Sequence, residues 1–189
     1  MLTETNFLDI NIILAYCKLL KSGKIPIKVS DITREANISR GTFYLHFKNI
    51  KFLNDHIESQ VLNEVIIIWG TDHPPLNDNP VLMTKIEYFC QFISENKIIF
   101  SGLLLNKEQI HFKSSLNRCI CNGLFGPRNI TKENQKNKDT YYTEYVVVAM
   151  IEIIENWLQK PKPESPSDMA AILNYLLSHS LGKIHSDIK

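Results

Sequence analysis

The sequence predicts an all-α protein of about nine helices, with a small N-terminal three-helix unit followed by a larger helical C-terminal domain. Three observations support this class. Apolar residues recur at intervals of three and four in successive segments, which is the period of amphipathic helices. Capping residues, glycines and prolines separate these segments. The apolar fraction of 44% in 189 residues is enough for a hydrophobic core.

The first predicted helix covers residues 6–20 and ends at Ser22-Gly23. Its apolar residues fall near one face and are Phe7, Ile10, Ile13, Leu14, Cys17 and Leu20. Because two short helices cannot bury their apolar residues alone, we expect this first helix to cover the pair that follows.

Residues 28–47 predict two short helices joined by a tight turn. The first helix carries an apolar stripe at helical spacing, formed by Val29, Ile32 and Ala36. Asn37 tolerates the left-handed backbone found just past a helix end, and Ser39 is a favourable N-cap for the second helix. Phe43 and Phe47 lie one turn apart and can pack back onto the first helix.

The outward residues of the second helix are polar or small, with no carboxylate among them, and are Arg40, Gly41, Thr42, Tyr44 and His46. Such a helix suits the DNA major groove, where Arg40 can reach guanine or a phosphate and Gly41 allows close backbone approach. Tyr44 and His46 can donate to phosphate oxygens. A plain helical hairpin with an amphipathic surface is the alternative interpretation at this point.

The net charge of +1 hides an uneven distribution. Between Lys18 and Lys51 there are eight basic residues and two acidic ones, an excess of six positive charges. A basic patch supplies the salt-dependent, sequence-independent part of DNA affinity. A solvated lysine-rich surface would look the same, so the charge supports DNA binding only together with the helix pair.

The segment ISRGTFYLHFKN at residues 38–49 resembles the recognition helix and following turn of TetR-family transcriptional regulators, and SDITREA at residues 30–36 resembles the helix before it. The resemblance implies a DNA-binding helix-turn-helix whose DNA-facing positions are Thr33, Arg40, Thr42, Tyr44, His46 and Lys48. Two places depart from the family pattern. Asn37 stands where glycine is usual, and Ile27-Lys28 replaces the usual threonine cap.

A long helix is predicted from residue 50 to about residue 69. Lys51 lies in its first turn, where exposed backbone N–H groups favour an anion, so we expect a phosphate contact there. Residues 70–80 contain three prolines and no periodicity. We therefore divide the chain into a DNA-binding domain (1–49, motif 28–47), a connecting helix (50–70) and a regulatory and dimerisation domain (71–189).

Five further helices are predicted at about 80–96, 98–105, 107–122 and 140–159 and from residue 166 onward. The polar residues 128–139 are predicted to form a loop. Ser165-Pro166-Ser167-Asp168 is a capping box that starts the last helix.

The last two helices are apolar on more than one side, which a helix on the surface of a monomer does not need. Packing against the same helices of a second chain would bury the surplus in a four-helix interface, as the TetR resemblance also implies. The candidate interface residues are Val146, Met150, Ile153, Trp157, Ile172 and Leu176. The alternative is that both apolar faces serve one large core.

Aromatic residues are frequent in the middle helices. They could line an apolar pocket for a small-molecule effector, or they could be core residues only. The candidates are Trp69, Phe89, Phe92, Phe100, Phe112, Tyr141 and Tyr145.

The sequence contains no G-x-S-x-G, no phosphate-binding glycine-rich loop and no H-E-x-x-H. Cys119 and Cys121 lack a partner at metal-ligand spacing, so we expect no metal or other cofactor. No apolar run is long enough to span a membrane, and no signal peptide is recognisable. These observations predict a cytoplasmic, non-enzymatic protein with reduced cysteines.

The sequence thus predicts a homodimeric, sequence-specific transcriptional regulator on a palindromic double-stranded operator, with repression relieved by a ligand or partner bound in the C-terminal domain. The alternative is a ligand-binding or protein-interaction module whose helix-turn-helix does not bind DNA. The two functions differ in salt dependence, because only the DNA-binding regulator would have a DNA affinity that falls steeply as the salt concentration rises.

Overall fold

A computed structural model of the chain describes residues 7–70, 80–126 and 136–184. Within these ranges the chain forms nine helices and no strand, which confirms the all-α prediction. The helices are α1 Phe7–Lys21, α2 Val29–Glu35, α3 Arg40–His46, α4 Ile50–Trp69, α5 Pro80–Glu95, α6 Lys97–Leu105, α7 Ile110–Phe125, α8 Lys136–Gln159 and α9 Pro166–Ile184.

Two predicted helix starts were wrong. α7 begins at Ile110 rather than at residue 107, because Asn106 closes a turn with Glu108 and Gln109 instead of capping a helix directly. α8 begins at Lys136, inside the segment predicted as a loop. The polar residues 136–139 extend that helix without any apolar period to signal it. The rest of the predicted loop, up to residue 135, lies outside the described residues.

The described residues fall into two compact units. The first lies within Met1–Glu64 and Asn96–Ser114, and the second within Val65–Glu95 and Ser115–Lys189. α4 contributes to both units, since its residues up to Glu64 belong to the first and its last turns belong to the second. The boundaries predicted after residues 49 and 70 divide the chain by function and not by packing, and they stay a prediction.

In the first unit, α6 packs along α1 at backbone distance. A Cβ atom added to Gly102 would lie 2.7 Å from the carbonyl oxygen of Cys17, so only glycine fits there without a shift. The buried side chain of Asn106 donates a hydrogen bond to the carbonyl oxygen of Leu20 at 2.9 Å. These contacts make α6 part of the unit that carries α1, α2 and α3.

In the second unit, α5 packs on α9, and the end of α4 is held by a large buried side chain. Trp69 is fully buried and meets the ring of Phe89 edge-on, with ring centroids 5.5 Å apart. A Cβ atom added to Gly123 would lie 2.3 Å from the Cβ atom of Trp69. The Lys85 ammonium donates to the carbonyl oxygen of Trp69 and thereby stabilises the end of α4.

Candidate nucleic-acid interface

The turn between α2 and α3 follows the predicted chemistry. Asn37 adopts a positive φ of 53°, and the Ile38 N–H donates to the carbonyl oxygen of Thr33 at 2.9 Å. Ser39 then caps α3, because its hydroxyl oxygen accepts the Thr42 N–H at 3.0 Å. An asparagine can therefore stand where the family usually has glycine, since its short side chain tolerates the left-handed conformation.

The start of α2, where the usual threonine cap is missing, is held by Asp31. Its carboxylate accepts the Lys28 N–H at 2.9 Å and the Lys24 ammonium at 2.7 Å. These hydrogen bonds, that of Lys24 foremost, lower the pKa of Asp31 below its usual value. An acidic residue three positions after the cap was the sequence signal for this start, and the sequence analysis missed it.

The inner face of α3 packs as predicted. Phe43 is fully buried and Phe47 is 3% exposed, with ring centroids 6.2 Å apart. α1 packs against α2, and its Asn11 side chain donates to the carbonyl oxygen of Ala36 at 2.9 Å. A second link joins α1 to the end of α3, where Nδ1 of His46 lies 2.6 Å from Oδ1 of Asp9.

Most residues predicted to face DNA lie on the outside of this unit. The exposed ones are Arg40, Gly41, Tyr44, Lys48 and Lys51, and Thr42 is half-buried beside Ser39. The ammonium of Lys51 pairs with the Asp55 carboxylate at 2.7 Å, and this hydrogen bond raises the pKa of Lys51. Part of its charge is therefore already compensated within the chain.

Two of the predicted contact residues are placed differently from the expectation. Thr33 is only 7% exposed, and its hydroxyl donates weakly to the carbonyl oxygen of Ser30 at 3.4 Å, so its side chain supports α2 instead of presenting a surface. His46 is half-buried, and its Nδ1 is engaged by Asp9. Only its Nε2 is left for a contact outside the chain.

One exposed residue of α3 was missed. Leu45 is 84% exposed, although it is a large apolar side chain next to Tyr44, which is itself 56% exposed. The signal was present in the sequence, because a residue two positions from Phe43 and two from Phe47 points away from them on a helix.

Fewer basic side chains of the first unit are free of carboxylate partners than the sequence count suggests. Several of the basic residues are paired with carboxylates inside the unit, as in Lys18–Glu35 at 3.4 Å and Lys24–Asp31 at 2.7 Å. Within the described parts of the chain, the side chains of Arg40 and Lys48 form no ion pair. The uncompensated positive charge therefore includes both ends of the outward face of α3.

The family is decided by the other half of the chain. Residues 82–179, more than half of the sequence, match the family model TetR_C_8, described as a transcriptional regulator C-terminal region. The chain belongs to the TetR family of transcriptional regulators. The family and the structural neighbours described below are transcriptional regulators, a class that is generally not enzymatic.

Solved structures of TetR-type regulators share the fold. The fatty acid degradation regulator FadR from Bacillus halodurans aligns with a TM-score of 0.66 at 14% identity, over 95% of this chain and 98% of its own. A TetR transcriptional regulator from Streptococcus agalactiae gives 0.57 at 14% identity, over 90% and 93%. The dihydroxyacetone kinase operon activator DhaS gives 0.54 at 18% identity, over 93% and 97%. A comparison with curated proteins gives no match.

The predicted dimer residues of this TetR regulator divide into two groups. Val146, Met150 and Trp157 are at most 4% exposed, and the indole N–H of Trp157 donates to the carbonyl oxygen of Glu164 at 3.0 Å. Ile153 is half-buried. The buried part of this stripe therefore lies in the core of its own chain, and its part in a dimer interface stays a prediction.

A different set of apolar residues is exposed on each of the same two helices. On α8 it consists of Tyr141, Tyr145 and Val148, which follow one another at helical spacing and are 53% exposed or more. On α9 it consists of Ile172, Tyr175 and Leu176, of which the first and last were predicted. We call these six residues the α8–α9 face.

The residues predicted to line an effector pocket are distributed over both units. Trp69, Phe89 and Phe92 are core residues of the second unit, whereas Phe100 and Phe112 are core residues of the first. Tyr141 and Tyr145 lie on the exposed α8–α9 face. The second unit instead has an open groove of about 720 Å³ along α4 and α5, lined by Ile67, Ile68, Val81, Thr84, Lys85, Tyr88, Gln91, Phe92 and Glu95. Phe92 alone belongs to both sets.

The described residues contain neither a group of side chains that could hold a metal ion nor a helix that could span a membrane. No group of three histidine, cysteine, aspartate or glutamate side chains there is arranged to hold a metal ion. No described helix is both long enough and apolar enough to cross a membrane.

Proposed function

We propose that this TetR regulator is a sequence-specific DNA-binding protein that places α3 in the major groove of its operator. The observation that carries the proposal is the outward face of α3, which has no carboxylate and exposes Arg40 and Tyr44, with Lys48 exposed just past the end of the helix. Phe43 and Phe47 fix this helix on the core. A groove lined by phosphates and base edges fits such a face.

Each exposed polar residue has a distinct role in this proposal. Arg40 donates to guanine O6 and N7 or to a phosphate, and Tyr44 and Lys48 donate to phosphate oxygens. Thr42 offers a partly exposed hydroxyl and methyl group. Lys51 reaches a phosphate from the first turn of α4. Thr33 is not part of the proposed contact set, because it is buried.

Gly41 supports the proposal from its surroundings. A Cβ atom added there would meet only the Ser39 hydroxyl oxygen, at an ordinary contact distance of 3.6 Å. The packing of the chain itself therefore does not require glycine at this position. Close approach of the α3 backbone to another molecule does provide a reason for it.

The proposed regulator acts as a homodimer through the α8–α9 face. Six large apolar side chains exposed on two helices are costly in water, and the same helices of a second copy would cover them in a four-helix interface. A twofold axis would repeat α3 about one helical turn of DNA away, on the order of 35 Å, and would require a palindromic operator.

We further propose that residues 1–49 bind DNA, that residues 50–70 connect, and that residues 71–189 dimerise and receive a signal. Occupation of a promoter would repress transcription. A ligand or partner that binds the DNA-incompetent state more tightly would release it, by as much as it discriminates between the two states.

Selection of bound fragments from random DNA, followed by titration of the recovered operator, tests this proposal. We expect a palindrome whose affinity falls steeply with salt, and a loss of about tenfold or more in Arg40→Ala. Arg118→Ala is the matched control, since Arg118 is exposed on α7 in the second unit. Recovery of no enriched sequence, or unchanged affinity in Arg40→Ala, would contradict the proposal.

A further inference from the structure

We propose that Leu45 determines part of the operator sequence by contacting the C5-methyl group of a thymine. The inference rests on the proposed DNA binding by α3 and adds the kind of base that one of its residues reads. It begins from the exposure of Leu45, which at 84% is the highest among the large apolar side chains that the structure describes.

The position of Leu45 on α3 is opposite to the protein core. At 3.6 residues per turn, two residues correspond to about 200° around the helix axis. Phe43 and Phe47, each two residues away, both point into the core. Leu45 therefore lies at the centre of the face that would enter a groove deepest.

The neighbours of Leu45 leave it room for this contact. Gly41 lies one turn before it and has no side chain, so the helix can approach the floor of the groove on that side. Thr42, three residues before it, is short and half-buried. At about 100° per residue, Tyr44 and Arg40 lie about 100° and 140° around the helix from Leu45, so these longer side chains stand to its side, and Lys48 follows the end of α3.

The chemistry of the major groove then selects the base. The base edges there present hydrogen-bond donors and acceptors, and the one apolar group among them is the methyl of thymine. A leucine over a polar edge would bury that edge without a partner, which is unfavourable. A leucine over the methyl group removes two apolar surfaces from water at once.

The experiment replaces single thymines of the selected operator by uracil, which keeps the base pair and removes only the methyl group. For one position in each half-site we expect the wild-type affinity to fall about fourfold, and about fifteenfold when both half-sites are substituted. Leu45→Ala should bind the thymine and uracil operators equally at that position. Ile110→Ala changes a large apolar residue of the first unit outside α3 that is 68% exposed, and this control should discriminate like the wild type.

Equal wild-type affinity for every uracil-substituted operator would overturn the inference, and so would full thymine preference in Leu45→Ala. Both outcomes leave operator binding intact and are therefore distinct from failure of the proposed function, in which no operator is recovered. Because Leu45 is exposed, Leu45→Ala should unfold at the wild-type temperature, which separates loss of discrimination from loss of folding.

Discussion

Nδ1 of His46 and Oδ1 of Asp9 lie 2.6 Å apart and tie the last turn of α3 to the first turn of α1. Both side chains are about one quarter exposed or less. The end of α3 is thus fixed by two contacts: the bond from His46 to α1 and the packing of Phe43 and Phe47 in the core. A carboxylate from another helix fixes a histidine that the sequence assigned to DNA.

Asp9→Ala should loosen α3 and weaken operator binding. Loss of this hydrogen bond should lower the free energy of unfolding by about 1 kcal/mol. Asp9→Asn keeps an acceptor oxygen for the imidazole N–H and should retain most of both properties. Thermal unfolding and operator titration of the two variants measure the effects. Equal operator affinity in Asp9→Ala and the wild type would show that the link does not position α3.

Gly41→Ala should separate folding from DNA binding. Alanine fits the space in the free protein and favours a helix by up to about 1 kcal/mol, so the unfolding temperature should stay or rise. Operator affinity should nevertheless fall, because the added methyl group stands between the α3 backbone and the groove. Unfolding and titration of the same preparation test both parts.

Gly102→Ala is the control for this prediction, with the opposite expectation. Its added methyl group would lie 2.7 Å from the carbonyl oxygen of Cys17, so the variant should lose about 1–3 kcal/mol of stability through overpacking. A stable Gly102→Ala protein, or a Gly41→Ala protein that binds its operator normally, would contradict the respective argument.

Val148→Asp should yield a monomer that remains folded. Val148 is 53% exposed on the α8–α9 face, so a carboxylate costs little in the single chain but would be buried against a second copy. Analytical ultracentrifugation measures the association state. Ile66→Asp is a matched control on α4, because Ile66 is 51% exposed and lies outside that face. A dimer of wild-type affinity in Val148→Asp would place the interface elsewhere.

The cysteines should differ sharply in reactivity. Burial raises the pKa of the Cys17 thiol and that of the Cys90 thiol to about 12, so at pH 8 almost no thiolate forms at either. Cys119 is half-buried, and the nearby Arg118 opposes the rise of its pKa. Alkylation followed by mass spectrometry should therefore modify Cys119 first. Modification of Cys17 at the rate of Cys119 in the folded protein would contradict this burial.

Local chemistry explains which features of this fold were predictable. The bounds of α4, the turn at Asn37 and the cap at Ser39 depend on residues close in sequence, and the structure agrees with each of them. The burial of Phe43 and Phe47 follows from spacing alone. The same spacing also places Leu45 on the outside, but an apolar side chain gives no hydrogen-bonding signal for a DNA contact.

Long-range packing explains what could not be predicted. Nothing near Thr33 in the sequence shows that its side chain is buried. A helix such as α8, apolar around most of its surface, does not reveal which stripe its own chain covers. The stripe through Val146 and Met150 proved internal, and the exposed face was left to Tyr145 and Val148. Nor does the sequence reveal that the aromatic pocket candidates belong to two different units.

The close contact between Gly102 and Cys17 matters for any attempt to transfer DNA specificity from one regulator to another. The N-terminal segment does not pack as an independent unit, because α6, more than 70 residues later in the chain, covers part of α1. In a chimera that replaces residues 1–49, this α6 would pack against the α1 of another protein. The close approach of Gly102 to the backbone at position 17 would then no longer be matched. Grafting single side chains onto α3 avoids that mismatch, so it is the sounder way to redirect this protein to a new promoter.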